Sequence, residues 1–336
     1  MANSGELLPG TVLQHRYRIV ARAGGGGMGV VYKAIDRRVS NRYVAIKELK
    51  VDASASEEER DRNIQLFKRE VAILGRLQHP NIPRVYGNFQ EKGRYYLVMD
   101  YIEGETLAQK LQQRGNVSLP LADVLSYGIQ LCEVLAYLHN SNPRIIFRDL
   151  KPSNVMVTKE GKLFLIDFGI ARYFKPEKLE DTFSYGTKGY IAPEIFAGGQ
   201  SNDLSDLYSL GATLHQCFTG RTPVDNTILF EFPSVRLHNT KVPVELDRLI
   251  LRLVSKNVAD RPPRAIDVGE ELCAIRDDLL AAQAILPVTV PVSQPLPPPD
   301  PYTAPTVPAT VNMPTVRQFS DVLRELLVPL RAWGVI

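Results

Sequence analysis

The sequence is poor in cysteine: Cys132, Cys217 and Cys273 are the only three in 336 residues, and no two form a CxxC pair. That spacing argues against a disulfide framework and a structural zinc site. It fits a reducing, cytoplasmic setting. A charge of one sign is also lacking, since 40 Lys and Arg face 37 Asp and Glu for a formal net charge of +3. A dedicated nucleic-acid binder would carry a stronger basic excess, so no nucleic-acid partner is expected. No uncharged apolar run reaches the roughly 18 residues of a membrane span, so no transmembrane segment is expected. The opening stretch, MANSGELLPG, lacks the basic and apolar regions of a signal peptide. What is present is ordinary for a soluble globular chain, 44% hydrophobic and 23% charged. The length suffices for two lobes with a substantial core.

The densest chemistry lies in the stretch Ile-Ile-Phe-Arg-Asp-Leu-Lys-Pro-Ser-Asn, residues 145–154. Asp149, Lys151 and Asn154 fall within six residues and offer a carboxylate, an ammonium and a neutral amide. A hydrolase or a saccharide-binding loop could use the same trio. The next charged punctuation narrows the choice. A strand-like run, Lys162 to Ile166, leads directly into Asp167-Phe168-Gly169. Asp167 and Asn154, thirteen residues apart, can converge on one hard cation through oxygen atoms. Asp149 then stays free to orient an incoming hydroxyl. This is equipment for magnesium-assisted phosphoryl transfer.

On these residues the chain resembles the eukaryotic-like serine/threonine protein kinases common in bacteria, over roughly residues 12–280. The resemblance implies an α+β, bilobal protein kinase fold over 12–283, with a small β-rich N-lobe to about residue 100, a hinge at 100–104 and a larger helical C-lobe over 105–283. It implies ATP as phosphoryl donor, Mg2+ or Mn2+ as cofactor, protein substrates and autophosphorylation. In that scheme Asp149 orients the substrate hydroxyl, Lys151 neutralises the transferring phosphoryl group, and Asn154 and Asp167 hold the cation. The sequence departs from the family at Phe147, where the usual residue is His. A Phe can fill the same space beneath Phe168 with an apolar ring.

The N-terminal third carries the expected nucleotide site. Gly24, Gly26, Gly29 and Val31 meet the pattern GxGxxGxV between two strand-like runs spanning 17–36. Glycine lets a backbone approach phosphate oxygens, although a flexible hairpin shows the same glycines. A dinucleotide fold needs a helix next, and the β-rich run Val-Val-Tyr-Lys-Ala follows instead. In the strand Tyr43 to Lys47, alternation places Val44 and Ile46 on one face and Ala45 and Lys47 on the other. The resemblance makes Lys47 the ligand of the α- and β-phosphates. It makes the backbone of Asp100 and Ile102 the partner of the adenine edge, Met99 the gatekeeper, and Ala45 and Met156 further base-pocket residues. Residues 56–78 read as a helix opened by a capping box, Ser56 to Glu59. Its inward stripe is Ile64, Phe67, Val71, Leu74 and either Gln78 or Leu77. Glu70 shares that face and needs a partner, for which Lys47 is expected. Two strands, 84–89 and 94–99, follow around a turn at Glu91-Lys92-Gly93.

In the C-terminal two thirds, Leu121 to His139 has strong helical periodicity and should be buried. Residues 167–194 match the family's activation segment. Within it, Thr187 in Gly-Thr-x-x-Tyr resembles the serine/threonine class, and Thr182 and Ser184 are candidate phosphorylation sites facing Arg148. Glu194 is expected to pair with Arg261, and Asp206 to bind the catalytic-loop backbone. Helices near 243–255 and 264–282 finish the domain. Composition changes at Pro287. Residues 284–314 read as a Pro/Thr-rich linker, and 315–336 as an amphipathic helix with Phe319, Leu323, Leu326, Leu327 and Leu330 on one side. That side needs a cover, by self-docking or by a partner protein. The rival to an enzyme is a nucleotide-binding pseudokinase scaffold acting through this tail. The complete set of Asp149, Lys151, Asn154 and Asp167 favours the enzyme.

Overall fold

A computed structural model describes residues 6–26, 29–49, 56–168, 189–223 and 229–284. The chain divides into a compact unit, Met1–Leu286, and a second, Pro287–Ile336. The second unit, with the proposed linker and tail helix, lies outside the described residues.

The first lobe is a six-stranded antiparallel sheet in the order β1-β2-β3-β4-β6-β5. Its strands are β1 (Val12–Leu13), β2 (Tyr17–Gly26), β3 (Gly29–Asp36), β4 (Arg42–Leu49), β5 (Val85–Glu91) and β6 (Arg94–Asp100). One face packs Ile19, Tyr32, Ala34, Val44, Ile46, Tyr96 and Val98 into a core of its own. The strand period of two therefore turns Val31, Ala45 and Lys47 to the other face. Cross-strand register holds them together: Val31 opposes Lys47, and Ala45 opposes Met99. Lys92 and Gly93, both at positive φ, form the tight turn between β5 and β6.

Helix α1 spans Glu57–Leu74, four residues shorter at its C-terminal end than the periodicity suggests. Gly75 still closes onto the Val71 carbonyl, but Leu77 bonds Leu74 in a tighter turn. That turn buries Leu77 and leaves Gln78 exposed, which settles the alternative at the end of the stripe.

The second lobe opens with β7 (Gly104–Thr106) and α2 (Leu107–Gln113), neither anticipated from sequence. Thr106 and Gln109 form a capping box that starts α2. Strand β7 pairs with β8 (Val155–Thr158), which pairs with β9 (Leu163–Leu165). Helix α3 occupies Leu121–His139, as its periodicity predicts, and buries Val124, Leu131, Leu135 and Leu138. Among the described helices it alone has the length and hydropathy of a membrane span, and it is the packed core helix of this lobe. Helix α4 is Pro193–Phe196, α5 Asp203–Thr219, α6 Val244–Leu253 and α7 Ala265–Ala284. Asn202 and Ser205 exchange side-chain and backbone bonds to start α5, and Gly220 ends it at φ +74°. Gly211 lets α5 approach α6 closely, since a Cβ there would lie 2.5 Å from Leu253 Cβ.

Candidate active site

The site is built on one buried carboxylate. Asp206, fully buried in the first turn of α5, accepts hydrogen bonds from the backbone N–H groups of Phe147 and Arg148, each at 2.8 Å. His139 Nε2, at the end of α3, lies 2.8 Å from the same carboxylate. These three contacts hold a loop that regular structure cannot hold. Arg148 sits at φ +70°, a left-handed conformation that costs a non-glycine residue energy. The expectation for Asp206 is met; the part played by His139 was missed. Its signal was a polar residue at the end of an apolar helical stripe, where burial demands a partner.

The loop presents the expected residues together. Asp149 is 2% exposed, and its Oδ2 lies 3.1 Å from Lys151 Nζ. Asn154 Nδ2 donates to the same Oδ2 and to the Asp149 carbonyl, both at 2.8 Å. Asn154 ends a 3-10 turn, Pro152–Asn154, whose proline sits at the first position. The Asn154 carbonyl accepts the Ile166 N–H at 2.9 Å, which brings the loop beside the segment holding Asp167.

Asp167, at φ +61°, is the second non-glycine residue of the site in the left-handed region. Its Oδ1 lies 2.5 Å from Lys47 Nζ, joining the first lobe to the second. Glu70 lies on α1, but its side chain is outside the described residues, as is the expected pair with Lys47. Phe147, 1% exposed, meets Phe168 edge-on with ring centroids 5.1 Å apart. The apolar ring thus packs where the sequence placed it.

The donor set suits a hard cation that brings other ligands with it. Asn154 spends its Nδ2 on Asp149, leaving Oδ1 to a long 3.5 Å contact from Ser153. No group of three or more His, Cys, Asp or Glu among the described residues could hold a metal alone. Asn154 and Asp167 would hold it only with phosphate or water oxygens completing the shell.

Val31, Ala45 and Lys47 share a face of the first sheet, and Met99 packs against the main core. Met156 is half-buried on β8. The Asp100 N–H donates to the Arg84 carbonyl at 2.9 Å, which confines any backbone contact of Asp100 with a base to its carbonyl. Gly24, Gly26 and Gly29 flank the two undescribed residues of the glycine turn. Thr182, Ser184 and Thr187 lie outside the described residues.

Beyond the loop, Arg261 has a fully buried side chain and grips Glu194 with two bonds of 2.7 and 2.8 Å. It also donates to the carbonyls of Ser255 and Leu204, each at 3.0 Å. Burial pushes the Glu194 carboxyl up, but the Arg261 hydrogen bonds, a backbone hydrogen bond and the Arg261 charge together leave the group below its ordinary pKa. The expected bridge is therefore present and mostly buried.

Comparison with known proteins agrees with this geometry. The protein kinase domain family matches residues 17–271. Serine/threonine-protein kinase PrkC of Bacillus subtilis is 33% identical over 79% of this chain and 41% of its own length. Serine/threonine-protein kinase pkn2 of Myxococcus xanthus is 35% identical over 80% of this chain and 34% of its own. The crystal structure of the Mycobacterium tuberculosis PknI kinase domain superimposes with a TM-score of 0.64 at 27% identity, covering 80% of this chain and 99% of that one. The chain spans about two fifths of the length of the first curated relatives it matches. With a match over most of the sequence, the chain belongs to the protein kinase domain family.

Proposed function

We propose that this chain is a serine/threonine protein kinase that transfers the γ-phosphoryl group of ATP to Ser and Thr hydroxyls of protein substrates, its own included. The observation that carries this reading is the convergence of Lys151 and Asn154 on Asp149, with Lys47 and Asp167 in contact across the lobes. The bound cation, Mg2+ or Mn2+ held by Asn154 and Asp167, would supply charge neutralisation between phosphate oxygens.

This chain's own groups do the rest. Asp149, fixed by two donors, accepts the hydrogen bond of the incoming hydroxyl and aims its oxygen at phosphorus. Lys151 sits 3.1 Å from that carboxylate, where its ammonium offsets charge developing on the phosphoryl oxygens. Lys47 binds the phosphates that stay behind. The glycine turn supplies backbone N–H groups, while Val31, Ala45, Met99 and Met156 enclose the base. The hinge backbone at Asp100 and Ile102 reads its edge.

Thr187 and the Glu194–Arg261 bridge support a protein substrate over a small molecule. Phosphates on Thr182 or Ser184 would find a cation at Arg148 and order the segment. The apolar stripe within 315–336 supports docking of the tail, on this domain or on a partner protein, and the chain is proposed to work in the cytoplasm.

The test is transfer of labelled phosphate from ATP to a generic protein substrate. Wild type should label it, and Asp149→Asn should not. Labelling by neither, under conditions where nucleotide binds, would favour the pseudokinase scaffold, and equal labelling by both would show that Asp149 does not carry the reaction.

A further inference from the structure

Behind the expected base pocket lies a set of contacts that the phosphoryl-transfer chemistry does not use. Asp100, the first hinge residue, is clasped to Arg84 in both directions. Its N–H donates to the Arg84 carbonyl at 2.9 Å, and its Oδ2 accepts the Arg84 N–H at 2.9 Å. Its Oδ1 accepts the Tyr86 hydroxyl. Burial, and then the Asp100 carboxylate, push the Tyr86 phenol up, so it stays a donor at neutral pH.

Tyr86 is braced in turn. The Arg42 guanidinium carbon lies 4.0 Å from its ring centroid. Arg42 lies 3.9 Å from Asp36, which Arg16 holds at 2.6 Å. Arg42 Nε is buried without a hydrogen-bond partner. Such an orphan is costly, and stacking on the ring accounts for the orientation that creates it. Val44 opposes Asp100 across the sheet, so Arg42, Val44 and Asp100 share the face turned away from Ala45 and Lys47. The network therefore stands behind the nucleotide face and reaches it only through the Asp100 backbone.

We propose that the Asp100 carboxylate and the Tyr86 hydroxyl are positioning groups that fix the hinge carbonyl of Asp100 as an acceptor for the 6-amino group of adenine. The proposal rests on the kinase reading above. A carbonyl held in advance loses less freedom on binding. It also opposes guanine, which presents an oxygen at the same place and would leave two acceptors face to face. The network thus sets nucleotide affinity and the preference for ATP over GTP, and takes no part in phosphoryl transfer.

The test uses the full chain and its Tyr86→Phe, Asp100→Asn and Asp100→Ala variants. Dissociation constants for Mg–ATP and Mg–GTP would be measured by calorimetry, with kcat and KM for each nucleotide at saturating protein substrate. Tyr86→Phe keeps the ring and removes only the hydroxyl. It should raise KM and Kd for ATP about three- to tenfold, with a smaller change for GTP and kcat within about twofold, as expected for lost ground-state binding. Asp100→Ala should exceed it, and Asp100→Asn, which still accepts from Arg84, should fall between. Unchanged ATP affinity in Tyr86→Phe and Asp100→Ala overturns this inference alone. So does a parallel loss for ATP and GTP that follows melting temperature. A wild-type chain that binds no Mg–ATP overturns both this inference and the kinase reading.

Discussion

The Lys47 ammonium lies 2.5 Å from the Asp167 carboxylate, across 120 residues of sequence and from one lobe to the other. The lysine side chain is 7% exposed and the aspartate 26%. A buried ammonium without a counter-charge would be expensive, and Asp167 supplies one. In the proposed reaction a nucleotide with its cation would compete for both: phosphate for Lys47, metal for Asp167. The pair is thus a resting arrangement of the two groups that the proposed reaction engages.

Replacing Lys47 by Met removes the proposed phosphate ligand and keeps an unbranched side chain one atom shorter. We expect turnover to fall by at least about a hundredfold, in the range seen when one electrostatic contact to a transition state is lost. The circular dichroism spectrum should stay native, because Val44 and Ile46, on the other face, carry the core packing. Phosphate incorporation within tenfold of wild type would show that another lysine does this work.

A second expectation concerns Phe147. Its edge-on contact with Phe168 is of a kind that contributes on the order of 1 kcal/mol. Phe147→His would place a polar ring in a position 1% exposed. Activity should stay within about fivefold, and the melting temperature should fall by several degrees. A gain in rate of a hundredfold or more would identify Phe147 as a brake on the turn that carries Asp167.

Much of this is legible in the sequence alone. Asp149, Lys151 and Asn154 are local in sequence, so one short loop brings them together. Asp167 was legible from the strand that leads into it and from its spacing to Asn154, and the role of Lys47 followed from the resemblance. Their contact was not anticipated, since no spacing rule links residues so far apart. Short elements escaped. Strand β7 and helix α2 are three and seven residues long, too short for a periodic signal, and only the Thr106–Gln109 cap marks them. The end of α1 was misplaced because Leu77 bonds the Leu74 carbonyl in a tighter turn that periodicity does not encode. The Asp100 carboxylate was passed over because its partners, Arg84 just before β5 and Tyr86 within it, reach Asp100 only in the folded sheet.

Acid should weaken the junction between α1 and the second lobe. His79 Nδ1 accepts the Asn81 N–H at 3.1 Å, its ring packs on Tyr137, and burial holds its pKa below the ordinary value. A group with a depressed folded pKa contributes stability above its unfolded pKa, near 6.5, and loses it as pH falls through the folded value. Stability by chemical denaturation should therefore decline from pH 7.5 towards 5.5, as predicted by that linkage. His79→Gln, which does not titrate, should lower stability at pH 7.5 and flatten this part of the profile. An unchanged slope in the variant would assign the decline to other groups.

The Glu194–Arg261 bridge gives the sharpest stability test. Arg261 makes four hydrogen bonds from a buried site, two to Glu194 and two to carbonyls of Ser255 and Leu204. Arg261→Met keeps the apolar stem, strips the donors and leaves Glu194 without its cation. Breaking a buried pair from one side typically costs about 3–5 kcal/mol. Glu194 has 22% of its side chain exposed, so water will recover part of that, and a loss of about 2–3 kcal/mol is expected. Glu194→Gln should cost less, since its amide oxygen still accepts from Arg261. The depressed carboxyl adds a pH signature. Its contribution is complete above the ordinary glutamate range and disappears as pH falls through the lower folded value. The stability difference between wild type and Glu194→Gln should accordingly narrow below about pH 4.3. A difference that stays constant down to the acid transition would mean that the pair contributes through shape alone, with no part of its stabilisation coming from charge.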